Sequence, residues 1–436
     1  MGMAKDHHGP SLAVIGAGVR GLGYARRAVA QGGRIVAVAE PRREKRADFA
    51  AEFGIAPEQV FAEAADLLAA DRVADAVVIS SPDACHAEQA VLAAERGYAM
   101  LLEKPMALSE GDCARIVDAV GRAGAVFAVG HVLRYTPYTR VLKELLDSGR
   151  IGTIVSIEHL EPVGWWHQAH SYVRGNWRRG DESGPMLLTK SCHDLDWLMY
   201  IVGETPARVS SFGSLGHFTA ANKPARATDS CVTCPVEQSC AFSAKKIYLK
   251  CLGDPVREYW PLSMVTHDMT EAGVLAALED SPYGRCVYSC DNDVVDHQVV
   301  ALEFPSGATA SFTMTAFTQL EHRRTRIFGT RGVVEGDGDS VRVHDFVTDR
   351  TEEYRTSDDH IGASAADGHG GGDDALVEAF LAAVASGDPS TLISDARTSL
   401  AGHRVVWAAE HARHSGTVVS LDAWTSAPDP LPALPA

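Results

Sequence analysis

The sequence predicts an α/β protein with two parts, an N-terminal doubly wound parallel sheet and a C-terminal α+β part with a large, mostly antiparallel open sheet. Up to about residue 130, short apolar runs alternate with Ala-rich segments of helical periodicity, a pattern typical of parallel strands joined by helices. After Gly152 the apolar runs are longer and follow one another at hairpin spacing. We therefore predict domains at 11–130 and 131–420, and a loose tail at 421–436.

The individual elements follow from the same patterns. In the first part the predicted strands are LAVIG, RIVAVAE, ADAVVISS, YAMLLEK and AVFAVGH. In the second part they are TIVSIEHLEP, RVSSFGSL, HQVVALEF, ATASFTMTAF, TRIFGTRGVVEG and SVRVHDFV. The Gly-, Ser- and Asp-rich stretch 357–374 predicts a loop, and DALVEAFLAAVASG predicts a helix that packs back onto the protein.

Charge and composition exclude several classes of function. The 436 residues are 46% hydrophobic, which is enough for real cores, and the formal net charge is -17. Such a charge argues against nucleic-acid and anionic-membrane partners. The N-terminal MGMAKDHHGP lacks a signal peptide's apolar core, and no long apolar run follows, so we expect a soluble, cytoplasmic protein. We expect its nine cysteines to be reduced or metal-bound rather than paired.

A glycine motif follows the first predicted strand. In LAVIGAGVRGLG, Gly16, Gly18 and Gly21 have the spacing G-x-G-x-x-G. We expect Val19 and Arg20, at the start of the next helix, to contact the cofactor as well. These glycines suit a tight turn, close approach to a pyrophosphate and close packing of helix on strand. The helix N-terminus would direct N–H groups at the anion. The motif predicts a nicotinamide or flavin dinucleotide cofactor.

Glu40 ends the second predicted strand, about twenty residues after the motif. An acidic side chain there would accept hydrogen bonds from the adenosine ribose and repel a 2'-phosphate, which favours NAD over NADP. Arg42 and Arg43 follow directly and would suit such a phosphate, so NADP remains open. The alternative role for Glu40 is a cap at the start of a helix.

Further motifs resemble one known family. They are Ser80-Ser81-Pro82, His86, Glu103-Lys104-Pro105, GHVLRYTPY at 130–138 and Asn176-Trp177-Arg178. With the glycine turn, they make residues 11 to about 420 similar to the Gfo/Idh/MocA oxidoreductases. The resemblance implies a Rossmann domain, a second domain whose open sheet often forms a homodimer or homotetramer interface, and NAD(P)-dependent chemistry on a sugar or cyclitol hydroxyl. It also implies cofactor contacts at Ser81, Pro82, His86, Glu103 and Lys104, and a substrate contact at Arg134.

Lys104 is the first candidate catalytic residue. It follows an apolar strand and precedes a proline that restricts the chain, so its ammonium would lie at the carboxyl end of the sheet. There it would bind the reacting hydroxyl and stabilise the developing alkoxide. Glu103 would pair with a neighbour or orient the lysine. The alternative is an ordinary solvated lysine.

His193 is the second candidate. The segment GPMLLTKSCHDLDWLMYIVG looks like the family's second catalytic element, but Thr189 stands where the family has Asp. On a continuous helix Thr189, His193 and Asp196 would share one face, with Lys190 close by. His193 would act as general base or be structural. Lys190 would suit an anionic substrate.

Two further clusters have alternative interpretations. The insert GWWHQAHSYVRGNWRRGDESG holds aromatic and arginine side chains, so Trp166, Trp177 and Arg178 form either a sugar-binding wall or a contact with a neighbouring subunit. Cys231, Cys234 and Cys240 have C-x2-C-x5-C spacing and suggest a structural zinc site, with Cys251, Cys286 or Cys290 as a possible fourth ligand.

Three hypotheses of function follow. The leading one is an NAD(P)-dependent dehydrogenase acting on a secondary hydroxyl of a sugar, sugar acid or related, possibly anionic, carbohydrate. The alternative is an NAD-dependent glycosidase that oxidises C3 transiently, eliminates the aglycone and releases no NADH. The third is a non-catalytic NAD-sensing protein.

Overall fold

The computed structural model describes residues 9–356 and 368–424, and its strands and helices are numbered along the chain. The strands are β1 (Ser11–Ile15), β2 (Arg34–Ala39), β3 (Val60–Phe61), β4 (Ala76–Ile79), β5 (Ala99–Leu102), β6 (Phe127–Val129), β7 (Ile154–Pro162), β8 (Arg208–Ser214), β9 (His297–Glu303), β10 (Thr309–Thr315), β11 (Arg324–Gly329), β12 (Gly332–Gly336), β13 (Ser340–Asp345), β14 (Arg350–Arg355) and β15 (Val419–Ser420). The α-helices are α1 (Val19–Ala30), α2 (Arg43–Phe53), α3 (Ala64–Ala69), α4 (His86–Glu95), α5 (Glu110–Ala123), α6 (Pro137–Asp147), α7 (Trp165–His167), α8 (Gly180–Ser183), α9 (Met186–Thr189), α10 (Cys192–Val202), α11 (Ala244–Leu249), α12 (Pro255–Tyr259), α13 (Glu271–Asp280), α14 (Gly372–Ser386) and α15 (Ala396–Ser415).

Backbone contacts divide the chain into two compact units. The first contains the residues up to Thr136 together with Gly371–Arg404, and the second contains Pro137–Gly370 and the residues from Val405 on. The sequence-based domains placed the whole of 131–420 in one part. The segment Gly371–Arg404 lies with the first unit because α14 packs on α1 and adds Leu376 and Phe380 to its core.

The first unit is built on a parallel six-stranded sheet in the order β3-β2-β1-β4-β5-β6. Its central strands are fully buried, as expected for strands covered by helices on both faces. The strand order reverses between β1 and β4, and a crevice at the carboxyl ends of such strands is where ligands bind in doubly wound sheets. The predicted doubly wound fold is confirmed.

The second unit contains a nine-stranded sheet in the order β14-β13-β12-β11-β7-β10-β9-β8-β15. Neighbouring strands are antiparallel except β7 and β10, which are parallel. Exposed and buried residues alternate along β9 and β10, so one face of the sheet packs on a core and the other does not. The predicted large, mostly antiparallel sheet is confirmed.

Two predicted segments fall largely outside the described residues. They are the loop at 357–374, of which 357–367 are not described, and the tail at 421–436, of which 425–436 are not described. The helix predicted from DALVEAFLAAVASG is present as α14. Within the described ranges, no helix is both long enough and apolar enough to cross a membrane.

Candidate active site

The glycine turn after β1 has the geometry that a dinucleotide requires. Gly16 has φ +91°, and a Cβ there would lie 2.6 Å from the Ser80 carbonyl oxygen. A Cβ at Gly21 would lie 1.9 Å from the Gly16 carbonyl oxygen, so α1 approaches the turn closely only because this residue is glycine. At Gly18, by contrast, a Cβ would meet nothing within 4 Å, and no described side chain caps the N-terminus of α1. Open space beside uncapped N–H groups fits a pyrophosphate.

Glu40 lies at the end of β2 with its carboxylate beside this turn. The side chain is buried, and its Oε2 accepts a hydrogen bond from the Ala17 backbone N–H at 2.9 Å. Arg42 donates to both carboxylate oxygens, at 2.6 Å through Nε and 3.0 Å through Nη2. Burial opposes ionisation of Glu40, but the hydrogen bonds from Arg42 outweigh it and lower the pKa of Glu40. The predicted ribose ligand is therefore ionised, and Arg42 is engaged by it.

The loop after β4 is held by His86. Its ring is fully buried, with Nδ1 2.8 Å from the Pro105 carbonyl oxygen and Nε2 3.1 Å from the Ser81 carbonyl oxygen. The Ser81 hydroxyl donates to Gln89 at 2.6 Å, and Pro82 precedes a short 3-10 turn. His86 thus supports the loops after β4 and β5, and Ser81 and Pro82 lie at the same sheet edge as the glycine turn.

Glu103 is the centre of a buried network. Its Oε1 accepts from Arg20 Nε at 2.5 Å and from the Tyr24 hydroxyl at 2.8 Å. Arg20 also makes a bidentate pair with the buried Asp373, at 2.7 and 3.0 Å. The side chain of Arg20 therefore binds carboxylates rather than a cofactor phosphate, which differs from the cofactor role predicted for it. Only the backbone of Val19 and Arg20, at the first turn of α1, remains suited to that role.

Lys104 directly follows this network at the end of β5. Its backbone N–H donates to Glu103 Oε2 at 2.8 Å, so Glu103 orients the lysine through the main chain. Burial opposes ionisation of Glu103, but the positive charges of Arg20 and Lys104 lower its pKa. Lys104 therefore lies just beyond the carboxyl end of β5, beside a carboxylate whose ionised form its charge favours.

His131 and Arg134, two buried residues, follow the last strand of this sheet. Burial, with the charges of Arg134 and Lys104, lowers the pKa of His131 to about 3, so His131 is neutral at pH 7. Arg134 is itself buried, and its Nη1 donates to the Ile393 carbonyl oxygen at 2.7 Å. This bond ties Arg134 to the segment that follows α14. Arg134 therefore has a structural role besides the substrate contact predicted for it.

In the second unit the predicted helix through Thr189, His193 and Asp196 is interrupted. The short helix α9 ends at Thr189, and α10 begins only at Cys192, because Ser191 has non-helical backbone angles of φ -117° and ψ 12°. The shared helical face predicted for Thr189 and His193 is therefore wrong. Thr189 is buried and its hydroxyl lies 3.4 Å from the Pro185 carbonyl oxygen.

Lys190 and His193 instead belong to a buried ionic network centred on Arg323. Arg323 Nε lies 2.7 Å from Glu161 on β7 and 2.7 Å from Asp194 on α10. Lys190 Nζ forms a second pair with Glu161 at 2.9 Å. Two cations and two carboxylates balance one another, so Lys190 does not provide the excess positive charge that was predicted to suit an anionic substrate.

Arg323 also determines which ring nitrogen of His193 carries the proton. Arg323 Nη2 lies 2.8 Å from His193 Nε2, and because a guanidinium only donates, Nε2 accepts and the ring proton is on Nδ1. In this arrangement Nε2 is not available to take a proton from a substrate. His193 therefore acts as the predicted general base only if its contact with Arg323 changes.

The aromatic insert packs mainly within its own chain. Residues 168–174 form a π-helix that is buried throughout, and Trp165 and Trp166 pack against a core that includes Phe242, Tyr248 and Tyr283. Trp177 lies 6.1 Å from Tyr172 between ring centroids, and Arg178 makes a bidentate pair with Asp291 at 2.9 and 3.2 Å. The insert is thus anchored intramolecularly, and Trp166 and Trp177 stay partly exposed.

The predicted zinc site is not supported. In the described part of the chain, no group of three or more His, Cys, Asp or Glu side chains is arranged to hold a single metal ion. None of the nine cysteines, all of which lie in the described ranges, forms a disulfide in the structure.

Sequence reasoning missed Arg323, Glu161 and Asp373. Arg323 lies 130 positions from His193, within the charged run EHRRTR, where nothing distinguishes it from its neighbours. Glu161 is the penultimate residue of β7, where it is buried beside the partly buried Lys190, and nothing in the residues of the strand itself indicates that pairing.

Comparisons with known proteins agree with this fold. Residues 11–131 match the model "Oxidoreductase family, NAD-binding Rossmann fold", and residues 143–421 match "Oxidoreductase family, C-terminal alpha/beta domain". Levoglucosan dehydrogenase in complex with NADH and levoglucosan has the same fold, with a TM-score of 0.68 at 19% identity over 94% of this chain and 99% of that one.

Curated relatives are similar over different lengths. YteT of Bacillus subtilis (strain 168), named an oxidoreductase, is 25% identical over 70% of this chain and 71% of its own length. Inositol 2-dehydrogenase of Streptomyces avermitilis is 34% identical over 44% of this chain and 53% of its own length. The 2,7-anhydro-N-acetylneuraminate hydratase of Escherichia coli (strain K12) is 31% identical over 35% of this chain and 40% of its own length.

The family models together cover nearly the whole described chain, and the site geometry of the first unit matches their NAD-binding description. The resemblance inferred from the motifs is confirmed. The chain belongs to the Gfo/Idh/MocA oxidoreductase family, with an N-terminal NAD-binding Rossmann domain and a C-terminal α/β domain.

Proposed function

We propose that this protein is an NAD-dependent oxidoreductase that transfers hydride between a secondary hydroxyl of an uncharged sugar or cyclitol and the nicotinamide. One observation carries the proposal: the open glycine turn at Gly18, the ionised Glu40 and the anchored Lys104 lie at the same edge of one parallel sheet. That edge is where a doubly wound sheet binds a dinucleotide and its reaction partner. The related sugar and inositol dehydrogenases support the carbohydrate assignment.

The residues present fit NAD. The uncapped start of α1 and the backbone at Val19 and Arg20 would hold the pyrophosphate, and Glu40 would hold the adenosine ribose. Ser81, Pro82 and His86 shape the loop beside them. Bound NAD supplies the acceptor for hydride. NADP fits less well, because Arg42 is already paired with Glu40.

In this proposal Lys104 stabilises the charge that develops on the substrate oxygen. Its ammonium donates a hydrogen bond to the substrate hydroxyl oxygen and stabilises the negative charge that develops there. Glu103 holds the Lys104 backbone and is itself fixed by Arg20 and Tyr24, so the point of the chain that carries the ammonium is held in place.

We assign an uncharged substrate because the ionic network around His193 is balanced. Because Lys190 and Arg323 are balanced by Glu161 and Asp194, the network around His193 has no excess charge to attract an anion. The partly exposed Trp166 and Trp177 offer aromatic faces to a sugar ring. His193 would contact the substrate as a neutral imidazole, with proton transfer at Nε2 only after Arg323 moves.

The test is NADH absorbance with purified protein, NAD, and matched pairs of substrates: sugars and cyclitols against the corresponding uronic acids and sugar phosphates. NADH formation with the neutral members supports the proposal. A clear preference for the anionic members would overturn the assignment of a neutral substrate, and NADH formation with none of them would overturn the dehydrogenase assignment.

A second candidate is a reaction without net redox change. Two relatives, from Escherichia coli and Mediterraneibacter gnavus, are named 2,7-anhydro-N-acetylneuraminate hydratases. Their similarity supports hydration, elimination or NAD-dependent glycosidase chemistry on an anhydrosugar or glycoside. The same assay distinguishes this candidate, because product would form without NADH and only when NAD is bound.

We also propose that the protein is a homodimer or homotetramer through the open sheet. Phe212 on β8 and Val299 on β9 are cross-strand neighbours on its outer face, and they are 72% and 41% exposed. Such apolar exposure is typical of an association surface. Sedimentation of the wild type and of Phe212→Lys would show whether this face holds subunits together.

A further inference from the structure

Four cysteines in the second unit line one cavity. They are Cys231, Cys234, Cys240 and Cys286, and the cavity has a volume of about 300 Å3. Three come from the C-x2-C-x5-C loop, and the fourth comes from a segment more than forty residues later. The cavity plays no part in the proposed NAD chemistry, whose residues lie elsewhere in the chain.

A buried arginine also lines this cavity. Arg174, in the π-helix, is 1% exposed. Its Nε donates to the Arg285 carbonyl oxygen at 2.7 Å, and Nη2 donates to the Phe242 carbonyl oxygen at 2.7 Å and to Cys231 Sγ at 3.4 Å. Its Nη1 is buried without a hydrogen-bond partner among the described residues.

Carboxylates of the described chain do not balance this charge. Glu237 also lines the cavity, but it accepts a hydrogen bond from Ser243 and lies 3.9 Å from Lys245. A buried, uncompensated guanidinium costs several kcal/mol of stability. The simplest way to avoid that cost is a negatively charged group in the cavity, close to Cys231 and to the guanidinium of Arg174.

Thiolates that ligate a metal centre provide such a charge, and the size of the cavity that they line indicates its type. A zinc ion binds its sulfur ligands at about 2.3 Å and so draws them close together around one point. Here no described group of three cysteines is arranged to hold one ion. The cavity of about 300 Å3 is equivalent to about ten water molecules, far more than a single ion fills. Iron–sulfur clusters are larger and are held by four cysteine thiolates.

We infer that Cys231, Cys234, Cys240 and Cys286 bind an iron–sulfur cluster whose negative charge is balanced by Arg174. The Arg174 hydrogen bond to Cys231 Sγ would stabilise that thiolate. The cluster would tie the cysteine loop to the segment around Cys286 and, through Arg174, to the aromatic insert. Its role in this inference is structural, and no electron transfer is assigned to it.

The test is metal and sulfide analysis of the full chain purified without oxygen. We expect iron and acid-labile sulfide in equal amounts, with visible absorbance typical of a cluster. Both should be lost together in Cys231→Ser and Cys240→Ser. Cys85→Ser is the matched control, because Cys85 is exposed and lies outside the cavity, and it should keep both.

A second measurement covers the case in which the cysteine variants do not fold. Iron would be removed from the wild-type protein with a chelator and an oxidant, and the thermal midpoint followed before removal, after it, and after reconstitution with iron and sulfide. We expect the midpoint to fall and then recover. Zinc at one atom per chain would overturn the iron–sulfur assignment, and wild-type protein with neither metal would overturn the site altogether.

Discussion

Each unit of this protein holds an arginine between two buried carboxylates, but the two networks balance their charge differently. In the first unit, Arg20 lies between Glu103 and Asp373, so the carboxylates outnumber the arginine. Lys104 is close enough that its charge lowers the pKa of Glu103, against the effect of burial. This network therefore favours an additional ammonium at the edge of the sheet.

The network of the second unit is balanced internally. Arg323 pairs with Glu161 and Asp194, and Lys190 pairs with Glu161. Burial opposes ionisation of Asp194, but Arg323 outweighs it and lowers the pKa of Asp194 well below its usual value. The first network therefore leaves one carboxylate charge for Lys104 to balance, whereas the second network is neutral without any further group.

Removing the arginines should give the largest effects. In Arg323→Met two buried carboxylates lose their shared cation, and we expect the free energy of unfolding to fall by about 3–5 kcal/mol. Arg20→Met should cost less, because its side chain is more exposed, at 22% against 11%, and Lys104 remains near Glu103. Urea unfolding of both variants measures the difference.

Arg26→Met is the control, because Arg26 pairs with Glu52 at the surface and such a pair contributes about 0–1 kcal/mol. A loss in Arg20→Met equal to or larger than that in Arg323→Met would contradict the proposed difference between the networks.

Replacing one lysine in each unit compares the two networks by their effect on kcat. Lys104→Ala should lower kcat by about a hundredfold, the effect of losing one aligned donor to a developing charge, while NAD affinity stays nearly intact. Lys190→Ala should lower kcat less, because its ammonium is already paired with Glu161. Steady-state kinetics and NAD titration would be compared with Lys143→Ala, whose lysine pairs with Asp147 on α6.

A collapse of NAD affinity in Lys104→Ala would make Lys104 a cofactor residue instead. A greater loss of turnover in Lys190→Ala than in Lys104→Ala would reverse the roles assigned to the two units.

Each unit also buries a neutral histidine, His131 in the first and His170 in the second. Burial lowers the pKa of each to about 3, with further contributions from neighbouring cations. Unfolded histidine titrates near 6.5, so between pH 6.5 and 3 the unfolded chain binds more protons and stability falls as pH falls. His131→Gln should reduce the slope of stability against pH in this window by about 1.4 kcal/mol per pH unit.

His170→Gln, in the second unit, should reduce the slope of stability against pH by the same amount. Denaturant unfolding at several pH values between 3 and 7 measures both slopes. If the slope did not change in His131→Gln, His131 would be protonated in the folded protein, and the assignment of a neutral ring next to Lys104 would be wrong.

The smallest expected effect is on cofactor preference. Arg42 is held by Glu40 in a bidentate pair, so Glu40→Ala removes a ribose ligand and also releases a cation that suits a 2'-phosphate. We expect the preference for NAD over NADP to narrow by about tenfold, roughly the effect of one charge-assisted hydrogen bond. Binding titrations with both cofactors would test this.

Glu44→Ala is the matched control, because Glu44 is an exposed acidic residue in the first turn of α2, and it should leave the preference unchanged. An unchanged preference in Glu40→Ala would mean that Glu40 is a structural cap and that other residues select the cofactor.

Local patterns were enough to predict the fold and the glycine turn after β1. The turn at Gly16 and Gly18 depends on residues next to one another in the chain, and the strands are short runs whose burial follows from composition. Lys104 was also predictable, because its place at a strand end follows from the strand itself.

The predictions failed where distant segments meet. The break between α9 and α10 was missed because the pattern of apolar residues continues across it. The pairing of Lys190 with Glu161, and of His193 with Arg323, depends on strands β7 and β11 lying beside each other. The packing of α14 on the core of the first unit could not be predicted either, because an apolar helix face is compatible with either core.

The sequence by itself determined the fold class, the family, the dinucleotide turn and the position of Lys104 at the end of a strand, because each of these depends on local spacing. Only the tertiary structure decided which charges are balanced, which ring nitrogen of His193 holds the proton, and which cysteines share a cavity. Those properties depend on distances between residues far apart in the chain, and electrostatic energies change steeply over a few ångströms in a buried site.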